Sequence, residues 1–414
     1  MKVLLSAYSC EPGRGSERGV GWNVAREVAR RHEVWVLTRP DESKEAIEAE
    51  LAAHPIPNLN FVYFTLPFWQ DSMRLGQSGA MQIHYYLWQL QAYFVARRLH
   101  QEIGFDLSHH VTFVKYSSPS LLSLLPIPFV WGPVGGGESA PATFWIDFSP
   151  RARAYELARD IFRKVGERDP FVRMTARQSA VVRATTDDTA QRLNLMGAAQ
   201  VCIVPEVGLL DDEIAALEQY ELPHSGPLRF ISMGRLLHWK GFHLGLRAFA
   251  RAQLSDAEYW VVGDGPELQP LKDLARKCGV SDRVKFWGRL SREDTLERLG
   301  ECHALVHPSL HDSGGWVCVE AMAAGRPVIC LDLGGPGVQV TPQTGFKIKA
   351  KEPQQAVVDL AAAMTELAKD SELRDRLGTA GRKHIQENFS WQVVGERLDA
   401  VYRELVSRQP TAAI

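Results

Sequence analysis

Cysteine is scarce in this 414-residue chain: there are six, at positions 10, 202, 278, 302, 318 and 330, and no C-x-x-C pair. That spacing excludes a disulfide framework and a zinc knuckle and reads as reduced core thiols. Net charge is nearly absent as well. Lys and Arg number 47 against 49 Asp and Glu, a formal charge of −2, so nothing global points to nucleic acid and none is expected as a partner. No apolar run approaches the ~20 residues that a membrane span needs. The opening run Met1–Ser6 is too short for a signal peptide and meets Cys10-Glu11-Pro12-Gly13-Arg14 at once. It reads as the buried first strand of a cytoplasmic protein. Short repeats and low-complexity tracts are missing too. What remains is an ordinary globular composition, 45% hydrophobic and 23% charged, with room for two or three domains of ~100–200 residues each.

Short apolar runs alternate with helical ones in the C-terminal half. Strands are expected at Leu228–Met233, Glu258–Val262, Val284–Trp287, Ala304–His307 and Pro327–Leu331, with helices near 241–253, 266–278, 292–300 and 315–324. Such runs suit a parallel sheet covered on both faces, a doubly wound α/β domain. The N-terminal half starts the same way, with strands at Val3–Tyr8 and Glu33–Thr38 around a helix at 17–31. An aromatic-rich stretch over 61–94 comes next, with a helix near 80–101 and further strands at Leu107–Val111, Phe129–Trp131 and Ala180–Ala184. Two α/β domains are therefore expected, 1–210 and 211–390, with Glu221–Pro227 as a linker and three helices over 351–408. In such sheets ligands sit beyond the carboxyl ends of the strands, so the loops there are the places to look.

The first of these loops, Pro12 to Trp22, holds Gly13, Gly15, Gly19 and Gly21 ahead of a helix; it suits a phosphate or sugar contact, or a tight turn. It is not the dinucleotide fingerprint, because Arg18 stands at the third glycine position. Gly234-Arg235…Lys240-Gly241 offers a guanidinium fork and a point charge to phosphate oxygens, or two solvated cations. The run from Pro308 to Ile329 is the most specific. Asp312 precedes Gly314 and Gly315, a helix begins there, and Glu320 lies in it among small and apolar residues. A carboxylate so placed needs hydrogen-bond partners, such as the hydroxyls of a ribose, or an internal salt bridge. His109 and His110 end a strand, and Gly135, Gly136 and Gly137 with Glu138 come after another. His303, His307 and His311 fall four apart, a spacing suggestive of metal, but Pro308 interrupts the run. Residues 151–183 carry nine Lys or Arg against four acids, with interleaved aromatics, which suits an anionic membrane, a phosphorylated acceptor or a solvated helix face.

These motifs resemble those of retaining glycosyltransferases of the GT-B fold, the large family that includes bacterial mannosyl- and glucosyltransferases and sucrose-phosphate synthases. Gly234-Arg235…Lys240-Gly241 is similar to its diphosphate clamp, Pro308-Ser309…Glu320…Gly325…Pro327 to its E-x7-E region, and Phe389-Ser390-Trp391 to the start of its final helix. The resemblance implies two Rossmann-like domains facing a cleft: 1–210 for the acceptor, 211–390 for the nucleotide sugar, and a last helix at 391–408 returning to the first. It implies catalytic roles for His109, Arg235, Lys240 and Asp312. The donor set is Gly15, Ser16, Gly234, Arg235, Lys240, Arg289, Leu290, Ser309, Asp312, Gly314, Gly315, Trp316, Val317 and Glu320, with His110, Gly135, Gly136, Gly137 and Glu138 lining the cleft. The chain departs from the family at four places. Asp312 replaces the first Glu, Gly314 an aromatic, Val111 the second His, and Pro205-Glu206-Val207-Gly208 an Asn-Gly. The expected reaction moves a hexose from a nucleoside diphosphate sugar, UDP-linked in preference to GDP-mannose, to a glycan, glycolipid or small sugar acceptor with retention. No cofactor is expected. No metal is expected either, since no Asp-x-Asp, the usual pattern of metal-dependent nucleotide-sugar sites, occurs in the chain. The alternatives are a nucleotide-sugar 2-epimerase and an inactive binding subunit.

Overall fold

The computed structural model describes residues 1–40, 43–67, 69, 78–113, 115–205, 207–223 and 226–408. Glu206 and the middle of the expected linker, His224 and Ser225, lie outside them, as does the side chain of Ser16. Two parallel sheets carry the chain. The first contains β1 (Lys2–Ala7), β2 (Glu33–Thr38), β3 (Leu59–Tyr63), β4 (Leu107–Thr112), β5 (Phe129–Val134), β6 (Val181–Ala184) and β7 (Val201–Ile203), in the order β3-β2-β1-β4-β5-β6-β7. The second contains β8 (Leu228–Met233), β9 (Ala257–Val262), β10 (Val284–Gly288), β11 (Ala304–His307), β12 (Val328–Leu331) and β13 (Gly345–Ile348), in the order β10-β9-β8-β11-β12-β13. Each sheet is doubly wound, as the short, uniformly apolar runs predict. The order reverses at β1/β4 in one and at β8/β11 in the other.

The chain divides into two compact units. The first takes Met1–Gly137, Asp160–Gly208 and the chain from Trp391 on; the second takes Glu138–Arg159 and Leu209–Ser390. One piece therefore departs from the sequence-based division at residue 210. Glu138–Arg159 packs with the second unit because Phe144, Phe148 and Ala152 are buried in the same core as Phe230, Leu244 and Phe249. The last helix, Trp391–Ser407, belongs to the first unit, where Gly395 lets its backbone close on Glu27 of the helix Ser16–Ala29. Of the aromatic-rich stretch, Tyr85 and Trp88 are buried with Tyr8 in the core of the first sheet, and Phe64 stacks on Trp88 with centroids 4.6 Å apart.

β4 shows how that core accommodates polar groups. All six of its residues are buried, including Ser108, His109 and His110. His109 Nε2 lies 2.5 Å from the Gly132 carbonyl and its Nδ1 2.5 Å from the Tyr402 hydroxyl. A carbonyl only accepts, so Nε2 carries the proton and Tyr402 donates to Nδ1. Burial, with Arg183 nearby, pushes the imidazole down to about 3, so it is neutral. His110 is held alike by Tyr85 and Ser6 and pushed down to about 3 by burial. Both imidazoles thus have their nitrogens engaged inside the core, and neither lines an open surface as the sequence predicts. Tyr402→Phe should leave Nδ1 of His109 without a donor and lower stability by about 1–3 kcal/mol. Urea unfolding that shows no loss would remove this bond from the fold's supports.

Candidate functional site

The second unit gathers most of the expected donor residues on the loops that leave β8, β10 and β11 at their carboxyl ends. The chain leaves β8 at Gly234, whose φ of +136° suits glycine, and passes the exposed Arg235 to Lys240 and Gly241. Gly241 has φ +66°, and a Cβ there would collide with the Pro308 carbonyl of the loop after β11. The two loops meet at that point and stay joined. The Leu310 amide donates to the Trp239 carbonyl at 2.8 Å, and the Ser309 hydroxyl lies 3.4 Å from the same oxygen.

Asp312 organises the rest of the β11 loop. Its Oδ2 accepts from Lys240 Nζ at 2.5 Å and from His307 Nε2 at 3.1 Å, and its Oδ1 lies 3.3 Å from the Gly315 amide. Its carbonyl accepts from the Gly335 amide at 2.7 Å. Burial works against its charge, but Lys240 and His307 outweigh burial and hold the carboxyl far below the usual carboxylate range. Both oxygens are engaged by the protein. Gly315 caps the helix Trp316–Ala323 with φ +58°, and Gln339 donates to the Gly314 carbonyl beside it. Trp316 and Val317, both part-exposed, occupy the first turn, where backbone amides lack intrahelical acceptors.

Glu320, one turn further on, is 7% exposed, and its Oε1 lies 3.1 Å from Arg292 Nη2. The same guanidinium is 3.0 Å from Glu213 Oε1. Burial, opposed by Arg292 and aided by Glu213, pushes the Glu320 carboxyl up to about 7. Arg289, exposed, and Leu290, part-buried, come directly after β10 as expected. Glu138 is buried in this unit too and accepts from the Ser313 hydroxyl at 2.6 Å, which ties it to the β11 loop.

The remaining expected residues belong to the first unit. Gly15 is exposed and precedes the helix that opens at Ser16, while Arg14 and Arg18 both pair with Glu11. Gly135 and Gly137 are buried, the Gly136 carbonyl accepts from Arg163 at 2.6 Å, and the Gly137 amide donates to Thr189 at 3.0 Å. Gly136 and Gly137 thus bond within their own unit, where a Cβ at Gly137 would strike Thr189.

Three contributors are not legible as such in the sequence. The spacing of His307 suggests only a metal ligand, and Arg292 carries no signal beyond an ordinary helix start. Glu156 is the third. It is buried, and its Oε1 accepts from His238 Nε2 at 2.9 Å and His311 Nε2 at 3.2 Å. Burial opposes its charge, but the two histidines outweigh burial and hold the carboxyl well below its usual range. One carboxylate thereby links the β8 loop to the β11 loop, and Trp239 lies stacked between Tyr155 and His311. A count of charges over 151–183 could not show that this acid turns inward. His303 bonds to the Pro223 carbonyl, so the three spaced histidines take three different partners, and among the described residues no three His, Cys, Asp or Glu side chains form a metal-binding group.

The glycosyl transferases group 1 family model matches residues 216–384, the span that holds nearly all of this site. Over those residues the chain is similar to that family. Among curated relatives, the glycogen synthase of Mycobacterium tuberculosis is 32% identical over 44% of this chain and 43% of its own. The GDP-mannose-dependent phosphatidylinositol monomannoside mannosyltransferase of Corynebacterium glutamicum is 34% identical over 40% and 44%. The chain spans about half the length of the curated relatives it matches. Among solved structures, the sucrose-phosphate synthase of Thermosynechococcus elongatus aligns with 99% of this chain and 100% of its own at a TM-score of 0.62 and 20% identity. Anabaena Alr3699/HepE, solved in complex with UDP, aligns with 98% and 100% at 0.62 and 18%. That likeness speaks to the fold, which is GT-B.

The group 1 region carries a pH signature. The folded-state pKa of Glu320 lies above its unfolded value, so folding favours the neutral carboxyl. Its contribution to stability is full below about 4.5 and is lost as pH rises to about 7. Glutamine is neutral at every pH. Glu320→Gln should therefore match the parent chain at pH 4.5 and exceed it at pH 8 by up to about 3 kcal/mol. Urea unfolding at the two pH values checks this; equal stability at pH 8 would contradict it.

Proposed function

We propose that the chain is a glycosyltransferase that moves a hexose from a nucleoside diphosphate sugar to a sugar-containing or lipid-linked acceptor, with retention at the anomeric carbon and without a metal ion. The observation that carries this reading is the convergence at the β8/β11 switch point. Two cations, a helix start and a buried, proton-hungry carboxylate stand there within one unit. The diphosphate lies against Arg235, Lys240 and the amides of Trp316 and Val317. The ribose hydroxyls donate to Glu320, replacing the water that burial has removed. The UDP-bound Alr3699/HepE structure supports a uridine donor, while the Corynebacterium relative keeps GDP-mannose in view.

The leaving diphosphate gains negative charge as the glycosidic bond breaks. Arg235 and Lys240 offset that charge in place, and Asp312 keeps Lys240 positioned while it does so. Because Asp312 is engaged by Lys240, His307 and the Gly315 amide, it is no free nucleophile. Displacement from the front face, assisted by the departing phosphate, fits that arrangement.

Interactions that strengthen in the transition state show in kcat. Lys240→Ala should lower kcat by ~10²-fold or more, the scale for one preorganised charge-stabilising donor. Arg235→Lys should also be damaging, since a point charge does not reproduce the guanidinium fork. Steady-state kinetics with a UDP-sugar decide this, and an unchanged kcat in Lys240→Ala would take the clamp out of the mechanism. Binding gives a separate check. Glu320→Gln should weaken UDP binding by ~1.5–3 kcal/mol, the scale for a hydrogen bond to a charged group. Calorimetry showing full affinity would refute the ribose assignment, and UDP binding with no turnover on any acceptor would favour an inactive binding subunit.

A further inference from the structure

The helix Pro150–Arg168 is turned inside out. Its inward side holds Glu156 and Arg163, both buried, whereas Leu157, Ile161, Phe162 and Val165 are 57%, 54%, 76% and 63% exposed. Leu157, Ile161 and Val165 recur every four residues and so stand in one row on the helix surface. Of the fifteen large apolar side chains exposed among the described residues, seven fall between Ile146 and Phe171. This clustering is not the single scattered exposure that any surface shows.

Charge is sorted in the same direction. Arg151, Arg153, Lys164 and Arg168 are exposed on this helix. Its acids all turn away from that face: Glu156 to His238 and His311, Asp160 to Arg163, Glu167 to Tyr116 and Arg192. The result is an apolar row bordered by exposed cations, on a helix whose acids are all paired among the described residues, in a chain whose overall charge is −2. The helix Ser78–Ile103 adds exposed Ile83, Leu90 and Phe94, and its Tyr86 hydroxyl donates to Asp169, the residue directly after Arg168. Among the described residues no helix is long and apolar enough to cross a membrane.

We propose that this face docks on an anionic lipid bilayer, with the row of Leu157, Ile161 and Val165 and the neighbouring Phe162 entering the headgroup–acyl boundary while Lys164 and Arg168 meet lipid phosphates. An apolar row alone would suit a second copy of the chain or a protein partner. Four exposed cations on a helix whose own acids are all paired among the described residues select an anionic surface, since association with a like face would set cation against cation.

Flotation of the full chain with phosphatidylcholine vesicles and with phosphatidylcholine–phosphatidylglycerol vesicles tests this. The chain should float with the mixed vesicles, less so as salt rises, and weakly with the neutral ones. Lys164→Gln/Arg168→Gln should weaken partition about 30-fold, at about 5-fold per cation near an anionic surface. Ile161→Ser/Phe162→Ser/Val165→Ser should abolish flotation while leaving the melting temperature in place, because those side chains lie outside the core. Failure of the parent chain to float with mixed vesicles, or undiminished flotation of the triple variant, overturns the proposal. Self-association that the triple variant reverses, without vesicle binding, would assign the face to a second copy.

Discussion

The second unit depends on one carboxylate more than on any other group. Asp312 accepts from Lys240 on the β8 loop, from His307 at the end of β11 and from the amide that opens the helix at Gly315. The β8 loop, 72 residues away in sequence, thereby shares a reference point with the end of β11 and the helix start that follows it. Removing one partner would leave the others around a buried charge, a costlier state than losing a neutral contact. Glu156 repeats the device a few residues away with His238 and His311, so the two loops are joined by carboxylates at two points and by backbone at Gly241 and Leu310.

Glu320 is the counterpoint. Asp312 and Glu156 are kept charged by their partners, whereas Glu320 shares its single guanidinium with Glu213 and is left short of stabilisation. A protein at rest gains nothing from such a group. That asymmetry sets Glu320 apart from the two carboxylates that hold the frame.

Much of this was legible in the sequence. The strands Leu228–Met233 and Ala304–His307 are observed at their expected bounds, because short apolar runs between glycine loops have few other structures to adopt. β3, β7 and β13 were not expected. Each lies at a sheet edge or next to one with part-exposed residues, so the apolar signal is diluted. Residue type and spacing singled out Arg235, Lys240, Asp312 and Glu320, and the structure sets Lys240 against Asp312 and Glu320 against Arg292. Partners were another matter. Nothing in the order of residues states that Asp312 would be taken by Lys240 and His307, that His109 and His110 would be enclosed by Tyr402, Tyr85 and Ser6, or that Glu156 alone of its basic segment would be buried against two histidines. Those pairings are decided by tertiary packing.

The meeting of Gly241 with Pro308 has an evolutionary consequence. No side chain fits there, so the two loops are constrained to change together or not at all. The exposed members, Arg235 and Arg289, with Trp316 partly exposed, have no such restriction. Substitution can therefore accumulate at the tips while the joined bases stay the same, and a lineage carrying this frame is free to vary what the tips present without rebuilding the loops beneath them.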